Sequence, residues 1–250
     1  MTGSQEKPIR GGWVYVGRDD AEMLIVSLIE QLEGDLPRRR AKKRKDKAAA
    51  IEAIEPASIY QLKATLQGSH PVIWRRIQVL GDIPLSRLHA VLQIVMGWTN
   101  SHLHGFRANG RVYGEPDPEF SGTMEMLDER QVRLDQVAPS VKSHFSYEYD
   151  FGDSWEHAIV VEKIRPPAPD VRYPYCLAGK RACPPDDVGG VWGYADFLKA
   201  IRNSRHPEHA EMLEWVGGAF DPTAFDLRGV NGMLELFEYA MAPRAMRRRS

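Results

Sequence analysis

The stretch IYQLKATLQGSHPVIWRRIQVL, residues 59–80, constrains the fold more than any other part of the chain. Its first half alternates, with Tyr60, Leu62, Ala64 and Leu66 on one face, as a strand with one buried side requires. Gly68-Ser69-His70-Pro71 then supplies turn residues, and VIWRRIQVL reads as the returning strand. The pattern next changes period. Leu85, Leu88, Leu92, Val95 and Met96 recur at helical spacing, with Pro84 at the start and Gly97 just past the end.

Further pairs of strands come after it. SHLHGFRA and RVYG are joined by Asn109-Gly110, two residues that tolerate the positive φ of a tight hairpin turn. FSYEY and WEHAIVVEKI flank Gly152-Asp153, which predicts a two-residue loop. In that register Glu148, Asp150, Trp155 and His157 share one polar face, while Phe145, Tyr147, Tyr149 and Phe151 form the core side. The last third starts with a long Pro- and Gly-rich stretch, residues 165–193, read as loop. Three helical segments succeed it: YADFLKAIRN, PEHAEMLEWVGG and the span from Asp226 to Met241. The expected class is α+β: a mostly antiparallel sheet built from hairpins, with helices packed on one side.

Ahead of this body lies an extension, residues 1–57. GWVYVG at 12–17 is strand-like. Beyond Asp19, Ala21, Leu24, Ile25, Leu28, Ile29 and Leu32 form a helical stripe that must pack on the body or on a second copy. The domain proper is expected at 58–241 and a basic tail at 242–250. Net charge is −1 overall, but the run RRRAKKRKDK at 38–47 is +7 and the tail +4, which leaves −12 on the remainder. Arg38, Arg39, Arg40, Lys42, Lys43, Arg44 and Lys45 are therefore candidate nucleic-acid contacts, the alternative being a solvated linker. The helix and basic run together are the expected contact for a nucleic-acid or protein partner.

Composition excludes other classes. With 43% apolar and 27% charged residues, the chain is that of an ordinary globular protein. No run approaches the roughly 18 apolar residues of a membrane span, and the start MTGSQEKPIRGG lacks a secretory apolar segment. Two cysteines, Cys176 and Cys183, fit a reducing compartment, so a cytoplasmic location is expected.

The candidate chemistry is centred on histidines. His102 and His104 stand two apart in an expected strand, which would send both imidazoles to one face. With Asp150 and His157, and Glu148 nearby, they form a candidate set for zinc or another divalent metal. A register-fixing network of histidines and carboxylates satisfies the same pattern. Asp150 and His157 could also act as base and orienting acid, but Ser154 is the sole nearby nucleophile, with no oxyanion hole in view. No GxxxxGK[ST] or GxGxxG motif occurs, which leaves nucleotide binding of either kind unsupported.

The segments IYQLKATLQGSHPVIWRRIQV, LHAVLQIVMGWTNSHLHGF, YDFGDSWEH, CLAGKRACPPDDVGGVWGY and HPEHAEMLEWVGGAFDPTAFDL together resemble the Ri-plasmid open-reading-frame-three-like family, from Ser58 to about Leu236. The resemblance implies a compact α+β domain carried on plasmids and other mobile elements, with some relatives labelled resolvase-like transposon passengers. It implies no defined activity. It leaves residues 1–57 uncovered, and the activated serine among arginines that a serine recombinase needs is not found.

Three functional readings result. The first is a binding domain associated with mobile DNA, with a ligand cleft framed by His102, His104, Glu148, Asp150, Trp155 and His157. The second is a metal-dependent hydrolase using that cluster. The third is a protein-interaction module whose cleft is only packing.

Overall fold

The computed structural model describes residues 18–33, 57–116 and 126–242. The expected strand at 12–17, the basic run containing Arg38 to Lys45 and the tail beyond Ala242 lie outside the described residues. Strands β1 (Ile59–Leu66) and β2 (Trp74–Leu80) form the expected antiparallel hairpin, and helix α2 (Leu85–Met96) comes next. Helix α1 (Arg18–Glu33) precedes them, starting one residue ahead of Asp19. The β3 (His104–Ala108) and β4 (Arg111–Gly114) hairpin turns through Asn109 and Gly110, both at positive φ. Beyond it lie β5 (Met126–Asp128), a short 3-10 turn (Glu129–Gln131) and the one-turn helix α3 (Leu134–Val137). Strands β6 (His144–Tyr149), β7 (Trp155–Arg165) and β8 (Tyr175–Lys180) complete one sheet of order β5-β4-β3-β6-β7-β1-β2-β8. All its pairings are antiparallel except β4 with β5. Helices α4 (Gly190–Arg202), α5 (His209–Trp215) and α6 (Leu227–Met241) end the chain.

Helices α1, α2 and α6 pack on one another over one face of the sheet. Helix α2 is almost wholly buried, so it forms the centre of the core rather than a surface cover. The stripe of α1 packs on this body: Leu24, Ile25 and Leu28 are buried, each contributing roughly 1.5–3 kcal/mol relative to exposure. The opposite face of the sheet is polar, with Arg76 paired to Glu162 and Arg107 to Glu148. Among the described residues no helix is long and apolar enough to cross a membrane.

The end of α2 directs the chain toward β3. Gly97, at φ 92, closes the helix with its N–H on Gln93 O, a left-handed cap that glycine adopts without penalty. Buried Arg75 donates to Val95 O at 2.6 Å, at the electronegative end of the helix, and to Lys180 O on β8. The chain then leaves the core at Trp98.

Two expectations about strand and loop layout are corrected by the structure. Residues 165–193 are not all loop, since β8 pairs with β2 at the sheet edge, Trp74 opposite Lys180. The β6–β7 connection has five residues, not two: Tyr149 pairs with Trp155, and Tyr147 with His157. This one-residue shift turns Trp155 and His157 onto the buried side beside Tyr147 and Tyr149. The cause is core matching. Phe145, Tyr147 and Tyr149 on one strand and Trp155, His157, Ile159 and Val161 on the other are all odd-numbered and all buried. They can face the same core only if paired residues share parity, which the two-residue loop forbids.

Candidate metal centre

Three loops meet at one end of the sheet: residues 98–103 after α2, 150–154 between β6 and β7, and 184–190 before α4. They are tied to one another pairwise. Trp98 Nε1 donates to Pro184 O at 3.1 Å, and Asp186 Oδ2 accepts from Thr99 N–H and from Thr99 Oγ1, at 3.2 and 2.6 Å. Asp150 N–H donates to Leu103 O at 2.8 Å, and Ser101 N–H to Tyr149 OH at 3.1 Å. Gly189 N–H donates to Asp153 Oδ2 at 3.0 Å. A side chain at Gly190, φ 67, would meet Asp153 O at 2.6 Å, so glycine lets these two loops close up. Asn100, Asp150, Ser154 and Asp187 also hold positive φ, so every loop carries left-handed backbone at a non-glycine residue. Such strain persists where the surroundings enforce it.

The loops bring His102, Asp150 and Asp187 together. One ligand atom from each lies within 4.8 Å of the others. His102 Nε2 stands 3.1 Å from Asp187 Oδ1 and 3.7 Å from Asp150 Oδ2. Ligand atoms around an ion bonded at about 2.1 Å are separated by about 3.0–3.4 Å in octahedral or tetrahedral arrangement, close to these values. The Asp150 carboxylate is aimed by its own loop: Oδ1 accepts from Gly152 N–H at 2.9 Å and Asp153 N–H at 3.3 Å, leaving Oδ2 toward His102. Exposure is graded across the set, from an 11% exposed Asp150 side chain to a 71% exposed Asp187. The site is therefore walled on one side and open to water on the other. Asp186, beside Asp187, has a proton affinity raised chiefly by burial, and its Oδ1 is buried with no hydrogen-bond partner among the described residues.

The other expected site residues go elsewhere. His102 precedes β3 rather than lying in it, so the two-residue spacing to His104 does not put both on one face. His104 is buried and its Nε2 lies 2.9 Å from Glu129 Oε2. Its ring stacks on that of His89, with centroids 3.4 Å apart and planes within 7°. Burial lowers His89 and His104 to about 3 and raises Glu129 to about 7, so both imidazoles stay neutral. His157 is buried between Trp98 and Tyr147, lowered to about 4 chiefly by that burial. Trp155 is fully buried as core. Glu148 faces the open side, accepting from Arg107 and from Ser154 Oγ, each at 2.9 Å. Cys176 and Cys183 are free buried thiols, raised by burial to about 11 and about 12.

In the sequence, Asp186 and Asp187 beside Gly189-Gly190 read as a cap for the helix that follows or as a loop tie, and His89 and Glu129 are not picked out at all. The pointer to the aspartates was the Pro- and Gly-rich stretch itself, too long for a plain connector. For Glu129 no local signal existed, because its partner lies across the fold.

Most of this chain is similar to known proteins. The uncharacterized protein y4hQ of Sinorhizobium fredii (strain NBRC 101917 / NGR234) is 41% identical over 194 residues, which span 77% of this chain and 98% of y4hQ. Among solved structures, the protein of unknown function MM3350 from Methanosarcina mazei Go1 is similar with a TM-score of 0.63 at 36% identity, over 69% of this chain and 97% of that one. Residues 58–229, which carry all three converging loops, match the family described as plasmid pRiA4b ORF-3-like protein. The chain belongs to the plasmid pRiA4b ORF-3-like family.

Proposed function

We propose that this domain binds a divalent transition-metal ion through His102 Nε2, Asp150 Oδ2 and Asp187 Oδ1, and uses it for hydrolytic chemistry. The observation that carries the reading is the convergence of these three atoms, from three separate loops, within 4.8 Å. One imidazole and two carboxylates suit zinc, manganese or iron(II). Three protein ligands with an exposed side leave room for water, the arrangement of a catalytic rather than a structural site. An ion held by these three residues would supply activation of water for hydrolysis near neutral pH.

The test is calorimetric titration of the metal-free protein with Zn2+ and with Mn2+. One ion per chain is expected, lost in a His102→Ala and Asp187→Ala double variant. Saturation of the wild type at no stoichiometric site would sink the reading.

A second reading is supported by charge alone: the +7 run at 38–47 on an otherwise acidic chain suits contact with nucleic acid. Binding that weakens steeply with salt, and vanishes when Arg38, Arg39, Arg40, Lys42, Lys43, Arg44 and Lys45 are all changed to Ser, is the expected result. Binding that survives those changes contradicts it.

A further inference from the structure

The Asn100 side chain is the junction between helix α1 and the loop that carries His102. Its Nδ2 donates to Gln31 Oε1 at 2.9 Å and reaches Ser27 Oγ at 3.5 Å, both on α1. Its other groups belong to a closed ring of hydrogen bonds. Asn100 N–H donates to Gln93 Oε1 at 3.0 Å, and Gln93 Nε2 donates to Tyr147 OH at 3.0 Å. Tyr147 OH lies 2.8 Å from His89 Nδ1, and His89 Nε2 lies 2.7 Å from Asn100 Oδ1. The directions are forced. Asn100 Oδ1 can only accept, so neutral His89 carries its proton on Nε2, and its Nδ1 accepts from the tyrosine hydroxyl. Every group in the ring therefore has one consistent role, and the bond from Nδ2 to Gln31 is its link to α1.

This ring anchors the loop that carries His102. Asn100 holds φ 59 two residues ahead of His102, and the next residue, Ser101, donates to Tyr149, which immediately precedes Asp150. Helix α1 lies outside the matched span 58–229 yet is seated by Leu24, Ile25 and Leu28. Its outward side, with Met23 and Val26 more than half exposed, remains open to solvent.

We propose that α1, acting through Gln31 and Asn100, is the positioning element of the metal centre, so that seating α1 sets how tightly the 98–103 loop presents His102. The inference rests on the reading that His102, Asp150 and Asp187 hold an ion. Gln31 and Asn100 touch neither ion nor substrate and act only through the loop. With the Gln31 acceptor gone, the Asn100 amide loses the bond that fixes its orientation. The links from Asn100 N–H through Gln93 to Tyr147 keep their direction, but the amide can then flip against His89, and the left-handed turn at Asn100 loosens. Partners that hold metal ligands in place commonly change affinity by about ten- to a hundredfold when removed.

The experiment uses the full-length chain with three substitutions. Gln31→Leu removes the acceptor at similar volume, Gln31→Glu keeps one, and Asn100→Gly keeps the backbone conformation while deleting the side chain. Zn2+ affinity and amide exchange at residues 101–103 of the metal-free protein are measured for each. Gln31→Leu is expected to weaken Zn2+ binding about tenfold and Asn100→Gly more, with faster exchange at 101–103 in both. Gln31→Glu should stay within about twofold of wild type, because its carboxylate still accepts from Asn100. Unchanged exchange in both disruptive variants, or faster exchange with unchanged affinity, overturns the positioning role while leaving the metal centre intact. A wild type that binds no Zn2+ removes the centre itself, and the positioning role with it.

Discussion

His102 and His104 are two residues apart, yet one ends at the mouth of an open cluster and the other in a closed, dry one. At His104 the partners are internal: Glu129 at its Nε2, His89 stacked on its ring, and burial that holds both imidazoles neutral. At His102 the neighbours are two carboxylates with outward oxygens, one of them mostly exposed. The side-chain types are the same. The difference is whether the protein has already used each group's bonding capacity. A buried polar cluster with its bonds made contributes to a unique fold. One that gathers negative charge at the surface without a cation partner is stabilised when an ion arrives.

The contrast can be broken first at the closed cluster. His104→Ala leaves a cavity and strips Glu129 of its partner, so a stability loss of about 3–5 kcal/mol is expected in denaturant unfolding. Zn2+ affinity should stay within about threefold of wild type. A large affinity loss with little destabilisation would show that the two clusters are one.

The next effect is a pH dependence. Glu129 is raised by burial from 4.5 to about 7, so the folded state favours its protonated form. That contribution is complete below about pH 4.5 and is lost as pH climbs through 7, up to about 3 kcal/mol. His89 and His104 run the opposite way. Lowered from 6.5 to about 3, they contribute above pH 6.5 and lose that contribution as pH falls toward 3. Glu129→Gln keeps a neutral group beside His104 and cannot ionise. The histidines act in the opposite sense over part of that window, so the readout is the difference between the two proteins: wild-type stability relative to Glu129→Gln should fall by up to about 3 kcal/mol between pH 4.5 and 7, with the acid-side decline common to both. A difference that stays flat across that window would contradict the assignment.

At the open cluster, Asp150→Asn retains an oxygen for Gly152 and Asp153 but replaces the oxygen facing His102 with an amide nitrogen. Zn2+ affinity should fall by about a hundredfold with the metal-free melting temperature almost unchanged. Asp187→Asn, on the exposed side, should cost about tenfold, since an amide oxygen or water can substitute there. Equal losses at the two positions would mean that the graded exposure has no bearing on binding.

Much of the fold was legible from residue pattern. The alternation of β1, the period and caps of α2, and Asn109-Gly110 each carry a local cause that survives in the structure. The illegible parts depended on partners distant in sequence. Strand β8 is flanked by prolines and exists because β2 offers an open edge. The β6–β7 register was misjudged because glycine next to aspartate resembles a two-residue turn. The parity of the aromatic positions in YEYDFGDSWEH already favoured the longer loop. For the candidate centre, His102 and Asp150 could be named from sequence, whereas Asp187 could not. Its approach to His102 is produced by ties from Thr99 and Asp153 to the 184–190 loop, and neither tie has a sequence signature.

Crystals of the full chain soaked in Zn2+, with anomalous data collected on both sides of the zinc edge, address the metal centre most directly. A single strong peak is expected within about 2.2 Å of His102 Nε2, Asp150 Oδ2 and Asp187 Oδ1. No peak there at saturating Zn2+, or a peak at the His89–His104 pair instead, would contradict the assignment of the open cluster as the metal site.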